Sequence, residues 1–400
     1  MKRTSLLLAG LIFGCSDPGS PGLGALVDAG NGTDSGDAGC ATPTTVLADV
    51  NAANLRLSGS TLVFVDRSAG GVYKNTEKTR AIRKINVDGT GAAVVHEAAA
   101  GHQVVDIEVA GDTVYFIESA VGVYQASAGV YSVPLTGGTP TLLKLHDDPA
   151  NGANPEGEYL DAIVGIDGVN VYAIRGMQTA AAIYRFPLSG GSEARVTTSL
   201  FAVDALQIRS RPTLVNGEFY FFTGRFPAPV NYDSIGKLSA SATDALPSQV
   251  GTTNCRGNLA TYPSGIFCIG AAEVGADHAW QKLSHFDLSA GGHAQLFELI
   301  NDGGFSLLIG PSDGTSVYVT QDHDASGRGN LYKVPVAGGP ASVVACDRRK
   351  IASRGTFETG GSNSAYYGTL EMVATPAELA WIEKRPDGSA DKTSIFRAAR

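Results

Sequence analysis

Charge is scarce in this chain: Asp, Glu, Lys and Arg make up only 17% of it, and the balance is −9. Binding to nucleic acid needs clustered Lys and Arg to displace counterions, so this composition excludes it. The one conspicuous basic run, Arg348-Arg349-Lys350, is short and reads as a solvated turn. Catalytic signatures are missing as well. There is no Gly-x-Ser-x-Gly elbow, no His-Glu-x-x-His helix and no Gly-rich phosphate loop. A Cys-x-x-Cys pair or a Cys/His zinc spacing is absent too. The N-terminal apolar run, Ser5 to Gly14, is too short to span a bilayer as a helix.

Glycine is what the chain has in quantity. Fifty Gly among 400 residues, with so little charge, fit a turn-rich β protein. They sit inside a repeat. Thr113-Val114-Tyr115-Phe116-Ile117, followed by Val130-Tyr131-Ser132-Val133-Pro134-Leu135-Thr136-Gly137-Gly138, returns as Ser316-Val317-Tyr318-Val319 and then Leu331 to Gly339. The first of these apolar runs begins at Leu62, Val114, Val171, Phe219, Ile266, Val317 and Leu379, with gaps of 52, 57, 48, 47, 51 and 62 residues. Apolar residues at consecutive positions, as in Phe219-Tyr220-Phe221-Phe222, mark a strand covered on both faces. A period near fifty residues built from strands alone predicts radial four-stranded blades, an all-β seven-bladed β-propeller. The second run of each unit starts near Ile82, Val130, Ile183, Ile235, Leu283, Leu331 and Ile395. Pro134, Pro187 and Pro335 recur within it and predict a bulge or strand end, because proline cannot donate to a ladder.

The ends of the repeat are informative. The seventh unit has its first three strands, within 371–375, 379–383 and 394–397, and then the chain stops. Pro43-Thr44-Thr45-Val46-Leu47-Ala48-Asp49, ahead of the first full unit, looks like the fourth strand Pro140 to Leu145. It is expected to close the last blade and join the ends of the ring. The unit resembles the repeats of bacterial secreted propellers with a Val-Tyr-Trp-Thr strand followed by a Val-Pro-Leu-x-Gly-Gly segment. It is more distantly similar to the Tyr-Trp-Thr-Asp propellers of lipoprotein receptors, through Phe64-Val65-Asp66 with Ile85-Asn86-Val87-Asp88-Gly89-Thr90. The motif's Trp has a counterpart only near Trp381.

The first residues read as an export signal. Lys2-Arg3 precede the apolar run, which ends in Ile12-Phe13-Gly14-Cys15. This resembles the lipobox of bacterial lipoproteins, with a bulkier residue than usual at Phe13. The resemblance implies removal of residues 1–14, acylation of Cys15 and a membrane anchor through lipid chains, each buried methylene adding about 0.8 kcal/mol. Ser16 after the Cys looks like an outer-membrane sorting signal, which places the protein in the cell envelope. The stretch 15–42, rich in Gly, Ser and Asp and without aromatics, is a linker unable to order itself. Its coil dimension is on the order of 30 Å. The propeller is expected to occupy 43–400.

Four cysteines follow Cys15, and an exported chain meets oxidising conditions. Cys255 and Cys268 should approach one face of the fifth blade and are the expected pair, unless Cys268 is simply a small buried hydrophobe. Cys40 and Cys346 are expected at opposite ends of outer strands, apart from one another. His96, His146 and His293 fall on outer strands or turns, where an exposed position suffices to explain them. Repeated His or Glu at one blade position, as around metal-centred propeller lyases, is not visible, and no catalytic residue, metal ligand or cofactor is assigned. Asp322 and Asp324, alternating ahead of Gly327, have the look of a calcium loop without its closing carboxylate and serve equally as a polar turn.

Binding, if the chain does it, belongs in the long connections on one face. Phe226, Tyr232, His278 and Trp280 put aromatic rings into otherwise polar connections there, suited to a protein or a glycan, or to plugging the ring's opening. The sequence reading is therefore a lipid-anchored binding or scaffold module of the envelope. Its alternative is a propeller lyase or hydrolase acting at the central funnel.

Overall fold

The computed structural model describes residues 40–66, 81–120, 127–147, 160–175, 182–198, 207–208, 212–224, 234–252, 255–262, 265–270, 273–274, 279–288, 293–301, 306–322, 328–349, 351, 370–384 and 393–400. The strands among them form seven antiparallel sheets, each read outward from its first strand as a, b, c and d. Blade 2 is representative, with His102–Ala110, Thr113–Ala120, Ser127–Pro134 and Thr141–Asp147. The b strands are buried at consecutive positions: in Thr61–Asp66 and Asn170–Arg175 all four central residues are buried. A sheet faces a neighbouring blade on both sides, so each b strand needs apolar side chains pointing both ways.

The core is correspondingly divided. Seven apolar clusters occur among the described residues, each bridging one pair of adjacent blades. Tyr172, Ile174 and Ile183 of blade 3 pack on Phe219, Phe221 and Leu238 of blade 4, for example. The seventh cluster joins Ala380, Ile382 and Ile395 of blade 7 to Leu55, Leu62 and Phe64 of blade 1. The ring is closed.

Turn chemistry explains the recurrent sequence marks. Pro134, Pro187 and Pro335 are the last residues of their c strands. Each carbonyl accepts from the N–H three residues on, Gly137, Gly190 and Gly338, at 2.8, 3.0 and 3.2 Å. Those three glycines have φ of 88°, 78° and 85°, a region that a Cβ disfavours. The a–b turns use aspartate. The Asp313 carboxylate accepts from the N–H groups of Thr315 and Ser316 and from the hydroxyls of Thr315 and Tyr318, all at 2.8 Å. Arg400 adds an ion pair at 3.1 Å. Burial alone would raise this carboxyl, but the donors outweigh it and hold it at about 2. The stability that Asp313 contributes is therefore present above pH 3.8 and lost as pH falls toward about 2. Chemical denaturation across that window should show a fall in the parent protein and a flatter profile in Asp313→Asn.

The N-terminal strand Thr44–Val50 pairs with Thr393–Ala399, the c strand of blade 7, as the missing d strand requires. The Thr393 hydroxyl ties the junction to blade 1, accepting from Ala52 N–H at 2.9 Å and donating to Val50 O at 3.0 Å.

Two expectations fail at the rim. Cys40 and Cys346 are joined in a disulfide, with Cα atoms 5.6 Å apart. The segment ahead of the closing strand does not continue along blade 7. It crosses to the outer strand of blade 6, Ser342–Arg349, where Ala41 N–H donates to Val344 O at 3.2 Å. Arg348 is likewise no solvated turn residue. It lies in that strand and pairs with Glu383 of blade 7 through Nε at 2.8 Å and Nη2 at 3.0 Å.

Candidate functional site

An antiparallel order a-b-c-d puts a–b and c–d turns on one face of the ring and b–c and d–a connections on the other. The a–b turns are tight: 59–60, 111–112, 216–217 and 313–315. The b–c connections are longer, running over 67–80, 121–126, 176–181, 225–233, 323–327 and 385–392. The c–d connections beside the a–b turns run over five to eight residues, as at 87–92 and 240–247, and the longest connections, 67–80, 148–159 and 350–371, all open on the b–c and d–a face.

That face is underlain by charge at one repeated position. Four residues after the first apolar residue of each b strand come Asp66, Glu118, Arg175 and Glu383 in blades 1, 2, 3 and 7. Each is matched. Arg83 Nε lies 2.6 Å from Asp66, and Arg175 Nη1 lies 2.5 Å from Glu193, its guanidinium over the Tyr184 ring. Glu118 reaches back to blade 1, where His96 Nε2 lies 2.7 Å away and Ala99 N–H donates at 3.3 Å. His96 lies tilted against Phe116, ring centroids 4.7 Å apart, and Phe116 stacks in turn on Tyr131. Burial, and then the Glu118 charge, push the Tyr131 phenol up. With its side chain only 11% exposed, His96 is not the open surface residue expected from the sequence. An outer strand is covered wherever the neighbouring blade leans over it. Glu383 is the most enclosed of the set at 2% exposed, and takes Trp381 Nε1–H at 2.7 Å besides Arg348.

A second group lies on the inner strands. Asn54, Asp106 and Glu371 lie at corresponding heights in blades 1, 2 and 7, the first two at a break in the a–b register, and all are buried. Glu371 accepts from Asn54 N–H at 3.1 Å and Leu55 N–H at 2.7 Å. Asp106 accepts from Ile163 N–H at 2.9 Å, and Asn54 Nδ2 reaches Val105 O at 3.4 Å. A bulge frees backbone donors, and the preceding blade supplies the acceptor. Arg56 lies between these carboxylates, its Nε 2.9 Å from Glu108. Burial works against its charge, but Glu108, Asp106 and Glu371 outweigh it and raise the guanidinium further. These acids are the inter-blade fasteners that sequence reading missed. The available signal was a charge amid apolar strand residues, as in Val105-Asp106-Ile107.

The residues expected to bind are distributed differently. Phe226, Tyr232, His278 and Asp324 lie outside the described residues, as does Cys15. Trp280 is not in a connection but in the c strand of blade 5, Ala279–Asp287, opposite Glu273 and Ile300. An extra two-residue strand, Glu273–Val274, pairs there and lengthens the hairpin. Asp322 ends the b strand of blade 6, opposite Ser306. The side chains of Trp280, Asp322 and Cys255 are not among those described. Cys268 is buried in its b strand and disulfide-bonded. Among the described residues no group of three His, Cys, Asp or Glu could hold a metal ion.

Seven inter-blade cores, one composite blade and a face of long connections define a seven-bladed β-propeller closed by its N-terminal strand. Solved propellers share the fold. The β-propeller domain of the Trilobed protease from Pyrococcus furiosus, described as having an open velcro topology, superposes with TM-score 0.54 at 11% identity over 89% of this chain and 94% of that one. An oligogalacturonate lyase in complex with manganese gives 0.57 at 12% identity over 94% and 97%. The oligogalacturonate lyase of Vibrio parahaemolyticus gives 0.51 at 10% identity over 72% and 78%. No protein-family model matches the chain, and no curated protein does.

Proposed function

We propose that the protein is a lipid-anchored propeller of the cell envelope that presents its loop-bearing face to a protein or glycan. One observation carries the binding reading: the long connections share a face, while the charged groups beneath them are paired within the scaffold, Asp66 and Arg175 inside their own blades and Glu118 and Glu383 with neighbouring ones. A scaffold whose polar side chains serve assembly leaves recognition to the loops it holds apart. Phe226, Tyr232, His278 and Trp280 are the proposed anchors, and Cys15 is the proposed lipid attachment point. Cys268 is proposed to pair with Cys255, whose backbone lies across the same hairpin.

The test is binding of the purified chain to a glycan array and to isolated envelope proteins, compared with the variant Phe226→Ala, Tyr232→Ala, His278→Ala, Trp280→Ala. A loss of tenfold or more, equivalent to about 1.4 kcal/mol, with unchanged melting supports the reading; equal binding by both proteins removes it. Cys15→Ala should move the protein from the detergent phase to the aqueous phase on phase partitioning. A second reading, a lyase or hydrolase at the funnel, draws support from the likeness to the manganese-bound lyase. Turnover of an acidic oligosaccharide on addition of manganese would favour it.

A further inference from the structure

The strand that completes blade 7 is held to the core only through Val46, Leu47 and Val50, which pack partly buried on the cluster between blades 7 and 1. None of the seven residues of Thr44–Val50 is buried. Its ladder with Thr393–Ala399 loses register twice, between Thr45 and Leu47 and again between Leu47 and Val50. An irregular edge strand with no fully buried side chain opens at low free energy. Immediately before it stands the Cys40–Cys346 disulfide, which links positions 306 residues apart and fastens the segment to a different blade. Both cysteines are half-buried at the rim rather than sealed in the core. The rest of blade 7 is secured independently, by Glu371 against blade 1 and by Glu383 with Arg348 against blade 6.

We propose that the Cys40–Cys346 disulfide is a redox-operated clasp on the ring's closing strand. In the oxidised protein the bond keeps the segment from 40 onward docked and blade 7 four-stranded. A dithiol reductant opens it by thiol–disulfide exchange. One reductant thiolate attacks one of the two sulfurs, forming a mixed disulfide and expelling the other cysteine as thiolate. The second reductant thiol then displaces the first cysteine, leaving two protein thiols and an oxidised, disulfide-bonded reductant. Reduction frees the outer edge of Thr393–Ala399, whose unpaired N–H and C=O groups can accept another strand, while the hub and the other blades stay assembled.

Hydrogen–deuterium exchange on the full-length chain, before and after dithiothreitol under native conditions, tests this. Exchange in 44–50 and 393–399 should quicken by roughly tenfold or more while 113–134 in blade 2 is unchanged. The double variant Cys40→Ser, Cys346→Ser leaves the bond at Cys268 intact and should show the same local opening without reductant; should it not fold, the reduced parent protein decides alone. Unchanged exchange in 44–50 with Cys40 and Cys346 titrating as free thiols overturns the proposal. So does equal acceleration in every blade, which would make the bond a global staple, and so does failure of the dithiol to release these thiols.

Discussion

Glu383→Ala should destabilise the protein by about 3–5 kcal/mol, the range for stranding one member of a buried ion pair. Its carboxylate accepts from Nε and Nη2 of Arg348 and from the indole N–H of Trp381, and only 2% of its side chain meets solvent. Removal leaves a half-buried guanidinium over the Phe396 ring with no matching anion, and an indole donor with no acceptor at a wholly buried position. The midpoint of thermal unfolding should drop by roughly 5–10 °C. Arg348→Ala alone should cost less, because it leaves Trp381 satisfied. The double variant should be milder than the sum of the two singles by about 1–3 kcal/mol, the coupling expected of residues in direct contact. Strict additivity in a double-mutant cycle read by denaturant unfolding would show that the pair contributes nothing as a pair.

Much of this fold was legible beforehand, for a reason visible in particular residues. Each b strand is sandwiched between two blades, so Val63-Phe64-Val65 and Val171-Tyr172-Ala173-Ile174 had to be apolar without interruption, and the period could be counted. Closure was legible because the last unit lacks a fourth strand and the first is preceded by one. The fasteners were not. A glutamate near the end of a strand reads the same whether it meets water, as sequence alone suggests, or a neighbouring blade, as Glu118 and Glu383 do. Arg348 was masked by the basic residues beside it. The Cys40–Cys346 bond depends on a crossing from blade 7 to blade 6 that no local pattern encodes. The candidate site was legible as a face only, since Phe226, Tyr232 and His278 lie outside the described residues and Trp280 lies in a strand. The c strand of blade 5 was started too late, near Leu283, because Glu273–Val274 extends the hairpin back to Ala279 through pairing rather than through apolar character.

Glu371→Ala should be comparably damaging, at about 2–5 kcal/mol, but by another route. Two buried backbone donors, Asn54 N–H and Leu55 N–H, would lose their acceptor, each at about 1–3 kcal/mol. Glu371→Gln separates geometry from charge. The amide keeps the shape and one acceptor oxygen but turns an NH2 toward an N–H, so it should recover only part of the loss. The equivalent places in blades 3 and 6 hold Ala162 and Leu308, so the ring does not need an acid there in every blade. It is used between blades 2 and 3, through Asp106, and where blade 7, assembled from both ends of the chain, meets blade 1. Leu308→Ala should consequently behave as an ordinary truncation at a partly buried site, with exchange quickened only near blades 6 and 7. Glu371→Ala should instead quicken exchange of 52–58 and 372–374 together, because one carboxylate joins the two inner strands. If these segments respond separately, the hub is held by apolar packing alone and Glu371 is a passive acceptor.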